Sequence, residues 1–191
     1  MSPTHDRPHV CPWWVGYLLL NPLRRIGQNP DRILGSHVRE GMTVLEVGPA
    51  MGFFSLALAH RVGPTGQVIC VDVQERMLVA LRKRARRADL LDRLTLVQAT
   101  DASLRIEEHA GTVDFALAFA VVHEVGDQDA LFRQIFQAMK PGARLLLAEP
   151  KGHVKAAAFQ ASVERARQAG FEVDGPATIA RSHATVLRKG P

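Results

Sequence analysis

The chain has 191 residues and 21.0 kDa, with 47% hydrophobic and 23% charged residues. That suits one domain able to bury a core and excludes disordered, collagen-like and coiled-coil chains. The net charge of +5 and pI of about 9.8 admit an acidic partner without requiring one.

In chain order, the start MSPTHDRPHVCP lacks the charged-then-apolar pattern of a secretory leader. The apolar stretch after it is broken by Pro12, Gly16 and Asn21-Pro22, and is too short to span a bilayer. Cys11 and Cys70 are too few for a disulfide framework, so a reducing, cytoplasmic setting is expected. His5, His9 and Cys11 lack a fourth ligand, and no metal site is expected there. Trp13, Trp14 and Tyr17 concentrate aromatic surface near the N-terminus. They read either as a lid over a pocket or as packing against the rest of the chain.

Asn29-Pro30-Asp31 reads as a helix start, with Asn as cap and Pro at the first helical position, running to about Val38. An alternation follows. Strands are expected at Thr43–Val47, Val68–Asp72, Leu94–Gln98, Val113–Phe119 and Arg144–Glu149, and helices at Gly52–Val62, Leu78–Ala88, Asp127–Met139 and Ala156–Ala169. Lys140-Pro141-Gly142 reads as a turn, and Phe171–Ile179 and Ser182–Arg188 as a closing pair of strands. Apolar strands separated by helices imply a parallel sheet covered on both faces. Two strands joined by a short turn must be antiparallel. The fold class is therefore α/β: a doubly wound, mostly parallel sheet of seven strands with a C-terminal antiparallel hairpin. Ligands on such sheets bind at the carboxyl ends of the strands. In the run Leu81–Arg87 (LRKRARR), Leu78, Leu81, Ala85 and Ala88 share one helical face and the basic residues take the other, which reads as a solvated surface. Without interleaved aromatics it makes a poor nucleic-acid platform.

The segment Val44–Phe54 (VLEVGPAMGFF) carries the chemistry: an acid ending a strand, then Gly48, Ala50 and Gly52 at alternate positions, then a helix. Small residues let the backbone turn tightly and approach a ligand, and the new helix presents free amides. A dinucleotide site wants a third glycine where this chain has Phe53. The spacing instead resembles the first motif of the class I S-adenosylmethionine-dependent methyltransferases, of the small single-domain type. Ala50 is a departure, since glycine is usual there. The resemblance implies a Rossmann-like fold over residues 41–191 and S-adenosylmethionine as cofactor; residues 1–40, which it does not cover, read as a helical lid or extension.

It further implies that Glu46, Gly48, Ala50 and Gly52 seat the cofactor, and that Asp72 and Val73 meet its ribose and adenine. Asp72 otherwise reads as a helix cap. Asp101 and Ala102 would meet the adenine amino group and ring, and Met77 could line it; a plain turn aspartate is the other reading of Asp101. The loop Phe119–Glu124 would face the methyl group, with His123 as base or hydrogen-bond donor and Glu124 orienting it, or His123 as a capping residue. Trp14, Tyr17 and Lys151 are the candidate substrate contacts. The expected reaction is in-line methyl transfer to a small-molecule acceptor. An RNA or protein methyltransferase and a non-catalytic S-adenosylmethionine-binding module stay open as alternatives, and a homodimer as an assembly state. The segment AVVHE lacks the Asn/Asp-Pro-Pro-aromatic pattern that nucleic-acid amino-methyltransferases resemble, which disfavours a nucleic-acid acceptor.

Overall fold

The apolar runs of the chain pair into one sheet in the computed structural model, which describes residues 27–190. Its strands are β1 (Thr43–Val47), β2 (Gln67–Asp72), β3 (Leu94–Gln98), β4 (Val113–Phe119), β5 (Met139–Pro150), β6 (Phe171–Pro176) and β7 (Ser182–Lys189). They form a 7-stranded sheet in the order β3-β2-β1-β4-β5-β7-β6. Strands β1 to β5 run parallel to one another, and β7 runs antiparallel to both β5 and β6. The expected parallel sheet and closing hairpin are both present.

Among the described residues, five α-helices cover the two faces: α1 (Pro30–Leu34), α2 (Ser55–Val62), α3 (Glu75–Arg87), α4 (Gln128–Ala138) and α5 (Ala156–Gln168). Successive strand residues point to opposite faces. Val44, Val68 and Leu117 therefore pack with Leu58, Val62 and Leu81 of α2 and α3. Leu45, Ile69 and Ala116 pack with Phe132, Ile135 and Phe159 of α4 and α5. On α3 the face Met77, Leu78, Leu81 and Ala85 is buried, and Arg82, Lys83, Arg86 and Arg87 are exposed, as the spacing implied; Ala88, expected on the buried face, is exposed just past the helix end, and Arg84 is half-buried.

Several element bounds differ from the sequence reading; α3 starts at Glu75, before the expected Leu78, and β6 ends at Pro176, short of Ile179. Helix α1 is capped by the Asn29 side chain, which accepts from the Asp31 amide, but it stops at Leu34 instead of reaching Val38. The chain turns there through Gly35, and the His37 ring stacks on Phe115 at 5.3 Å. Helix α2 begins at Ser55, because Gly52 sits at φ +86°, outside the helical region. Strand β5 begins at Met139, before the expected turn at Lys140-Pro141-Gly142. Met139 pairs with Val113, the register then shifts before Phe115↔Arg144, and Gly142 takes φ +77°. The proline, which cannot donate to a ladder, is accommodated in that irregularity. Among the described residues, no helix is long and apolar enough to cross a membrane.

Candidate functional site

After β1 the chain builds outward through β2 and β3, then crosses back to place β4 on the other side of β1. The crossover connections diverge at this switch point, and a crevice opens at the carboxyl ends of the strands. It holds a cleft of about 770 Å³, within the range of about 300–1,000 Å³ usual for small-molecule sites.

The loop from β1 to α2 forms its floor. Glu46 is buried, and its Oε2 accepts a hydrogen bond from Ser55 Oγ at 2.5 Å, with Cys70 Sγ at 3.8 Å. The strand-end acid thus holds the first residue of the helix that follows. Burial and the Glu46 charge push the Cys70 thiol well above its usual range, so it is un-ionised. Gly48, Ala50 and Gly52 all adopt positive φ, at 70°, 48° and 86°. A Cβ on Gly48 would lie 2.6 Å from Val121 Cγ2 and 2.8 Å from Val121 Cβ, so glycine there lets the β4–α4 loop close against β1. Ala50 takes the left-handed conformation despite its methyl group, at a cost of roughly 1 kcal/mol. The Arg84 guanidinium donates to the Met51 carbonyl and ties α3 to the loop. Phe53 lines the cleft and meets Phe54 edge-on at 5.1 Å.

Asp72 ends β2 on the cleft wall. Its Oδ1 accepts from the Gln74 amide at 2.9 Å and its Oδ2 from the Ala50 amide at 3.2 Å. Gln74, not Asp72, occupies the cap position of α3. Burial raises the Asp72 carboxyl to about 6; the two amides pull the other way, and the charge of Glu124 adds to the rise. Val73, Met77, Asp101 and Ala102 also line the cleft. Thr100 and Ser103 close a turn around Asp101 through the Thr100 amide, which donates to the Ser103 carbonyl at 2.8 Å.

The opposite wall is the loop from β4 to α4. Ala120 adopts φ +58°, and its amide donates to the Ala148 carbonyl at 2.7 Å. A 3₁₀ turn, Val122–Glu124, follows. His123 and Glu124 both line the cleft. The carboxylate that holds His123 is Glu149, at the end of β5: its Oε2 is hydrogen-bonded to His123 Nδ1. Its Oε1 accepts from the Val121 and Val122 amides at 3.2 and 2.7 Å. Glu124, the expected orienting residue, stands 3.9 Å from His123 Nε2, beyond hydrogen-bond distance. The bond to Glu149 raises the His123 pKa, although burial works against it. The His153 ring lies parallel to His123 with centroids 6.3 Å apart.

The structure thus brings Glu46, Gly48, Ala50, Asp72, Val73, Asp101, Ala102, His123 and Glu124 to one cleft. Gly52 sits just beneath it, where a Cβ would lie 2.4 Å from Leu81 Cδ1. Lys151 is exposed and does not line the cleft. Trp14, Tyr17, His5, His9 and Cys11 lie outside the described residues. The sequence reading does not single out Ser55, and from the polar segment Glu149-Pro150-Lys151-Gly152-His153 after the fifth strand it names only Lys151 as a contact. Glu149 had a readable signal, because an acid closing the apolar run RLLLAE follows the same pattern as Glu46 and Asp72.

The donor set suits a cationic nucleoside. The charged lining is Glu46, Asp72, Asp101, Glu124 and Asp127 with His123 and His153, and no lysine or arginine of the described residues joins it. Comparison with known proteins agrees. The ubiquinone/menaquinone biosynthesis C-methyltransferase UbiE of Pasteurella multocida is 32% identical over 114 residues, covering 60% of this chain and 42% of that protein. Its Escherichia coli counterpart is 32% identical over 114 residues, 45% of its length. The matched part of the chain thus spans less than half the length of these curated relatives. Among solved structures, a SAM-dependent methyltransferase from Aquifex aeolicus superposes with a TM-score of 0.83 at 22% identity, over 94% of this chain and 98% of that one. One from Methanosarcina mazei gives 0.66 at 18%, over 83% and 97%. These likenesses establish the fold. A family model described as a methyltransferase domain matches residues 38–179. With that span and this sheet, the chain belongs to the methyltransferase-domain family, as a small class I protein of the S-adenosylmethionine-dependent kind.

Proposed function

We propose that the protein transfers a methyl group from S-adenosylmethionine to a small, uncharged acceptor. The observation that carries this reading is the sign of the cleft. In a chain with 24 lysines and arginines against 19 acids, the charged and titratable residues of the cleft lining, among the described residues, are carboxylates and histidines, with no lysine or arginine. Low-dielectric walls of one sign concentrate ligands of the other. Such a cleft favours a cation and repels phosphate.

When bound, the cofactor supplies an electrophilic methyl group on a sulfonium that leaves as a neutral thioether. The protein's own residues do the rest. Asp72 accepts from ribose hydroxyls with the lone pairs its two amide donors leave, and Asp101 accepts from the adenine amino group. Gly48 and Ala50 bring the backbone close to the amino-acid end. Positioning of two reactants is worth roughly 7–11 kcal/mol and a general base about 3–5 kcal/mol, so the walls that orient the acceptor matter more than the base. His123 is the candidate base. Gln28, within the N-terminal extension of residues 1–40, lines the cleft, which supports a covering role for that extension.

The RNA reading draws on the exposed basic face of α3. That face begins at Arg82, five residues beyond the cleft-lining Met77, or roughly 8 Å along the helix. None of its basic residues lines the cleft, which supports the small-molecule reading. Isothermal titration with S-adenosylmethionine, followed by detection of a methylated product in a metabolite extract, tests the proposal. Binding by the wild-type protein that Asp72→Ala leaves unaltered counts against the assigned site. Binding with no product from any acceptor pool favours a non-catalytic module, and product on RNA alone favours the macromolecular reading.

A further inference from the structure

Most of the cleft wall belongs to the cofactor, but one constellation does not. Glu149 is buried at the end of β5 and reaches the β4–α4 loop through three contacts: the amides of Val121 and Val122 and the ring Nδ1 of His123. Amides can only donate. A carboxylate that accepts two of them on Oε1 accepts again on Oε2, which makes Nδ1 the donor in the third contact. That selects one tautomer. With Nδ1 carrying the proton, Nε2 holds the lone pair, in a side chain that lines the cleft. The groups around the ring are Glu149 from β5, Glu124 from the same turn, at 3.9 Å from Nε2, and His153 from the segment after β5, stacked at 6.3 Å. The backbone of the loop is independently anchored, since Gln128 Nε2 donates to the Val122 carbonyl at 3.0 Å.

We propose that Glu149 is a positioning residue that presents His123 Nε2 as a proton acceptor, and that the methyl acceptor is a neutral phenol or enol. This rests on the reading of the cleft as a methyl-transfer site. The match of acidities sets the acceptor class. An imidazole backed by a carboxylate takes a proton from a hydroxyl, and most readily from an acidic one near the tyrosine value of about 10, whereas a tertiary amine has no proton to give. The apolar lining of Phe53, Val121, Val125 and Leu131 suits a conjugated ring. In the step, the acceptor O–H bond breaks, its electron pair stays on oxygen as a phenolate or enolate, and the proton forms the second N–H bond of an imidazolium. Glu149 balances the new charge, so no further reactant is required.

The tautomer is directly observable. Protein labelled with ¹⁵N-histidine, read by long-range ¹H–¹⁵N correlation across a pH titration, is expected to show His123 protonated on Nδ1 when neutral, with a pKa above 6.5. Glu149→Gln keeps the shape, removes the charge, and is expected to lower that pKa by about one unit or more. An Nε2–H tautomer in the wild type, or a titration unmoved in the variant, overturns the proposal. His123→Gln keeps Glu149 and its two amide contacts, and serves as the second variant should Glu149→Gln fail to fold.

With S-adenosylmethionine and catechol, hydroquinone or 2-naphthol, formation of S-adenosylhomocysteine is expected on at least one phenol, rising with pH through the His123 pKa. His123→Gln, and folded Glu149→Gln, are expected to lose roughly a hundredfold in kcat, with cofactor affinity within about threefold of wild type. In Glu149→Gln the pH limb should move in the direction of the spectroscopic shift. Cofactor binding with no product from any of the three phenols refutes the acceptor class. Failure of the wild type to bind cofactor refutes the underlying methyl-transfer reading instead, and the tautomer result stands apart from it.

Discussion

Gly48→Ala tests how the cleft is closed. The substitution adds one methyl at φ +70°, 2.6 Å from Val121 Cγ2 and 2.8 Å from Val121 Cβ. The backbone conformation alone costs roughly 1–2 kcal/mol for a residue with a Cβ. The overlap adds about 1–3 kcal/mol. Rotation about χ1 of Val121 moves Cγ2 but leaves Cβ in place, so the loop itself must shift, against the bond from the Val121 amide to Glu149. The expected total is roughly 2–5 kcal/mol, read as a lower urea midpoint at unchanged slope. Gly142→Ala is the internal control, with φ +77° and nothing within 4 Å of the new Cβ, so it should lose only the conformational part. A double-mutant cycle sharpens the test. Val121→Ala removes the Cγ2 overlap but keeps Cβ, and Val121→Gly removes both. The favourable coupling with Gly48→Ala should therefore be larger for Val121→Gly than for Val121→Ala. Equal losses for Gly48→Ala and Gly142→Ala, or zero coupling in both cycles, would refute the steric account.

Other outcomes follow from the same geometry. Asp72→Ala should weaken S-adenosylmethionine binding by about ten- to a hundredfold in calorimetry, the worth of a charge-assisted hydrogen bond. Because the Asp72 carboxyl is raised to about 6 in the fold, the unfolded chain gives up that proton first. Its contribution to stability is thus complete below about pH 4 and is lost as pH rises through about 6, by on the order of 2 kcal/mol. Asp72→Asn should flatten that limb in pH-dependent denaturation, and an unchanged limb would locate the titration elsewhere. Cofactor affinity should rise over the same interval as the carboxylate forms. Ala50→Gly should relieve the strain at φ +48° and raise stability by about 0.5–1 kcal/mol in urea unfolding. Ser55→Ala removes the hydroxyl that donates to buried Glu46 and should cost about 1.5–3 kcal/mol by the same measurement.

Local rules in the sequence were enough to specify the sheet, its hairpin and the order of its elements. Strand and helix periods differ, and glycine and proline mark the joints. Glu46, Asp72 and Asp101 came from the resemblance to methyltransferase motifs, and the sheet brings all three to the lining of the cleft. Local rules misjudged the joints where a tertiary contact overrides a local signal. Met139 reads as the end of a helix and Lys140-Pro141-Gly142 as a turn, yet Met139 pairs with Val113 and draws the segment into β5. The partner of His123 was beyond local reasoning. Glu124 is adjacent in sequence but stands outside bonding distance, whereas Glu149 is 26 residues away. The parallel pairing of β4 with β5, with Phe119 opposite Ala148, puts the end of one strand beside the loop leaving the other. Periodicity assigns a residue to a face, but only the register between strands decides which residues from distant segments meet there. The proton chemistry of the cleft depends on that register.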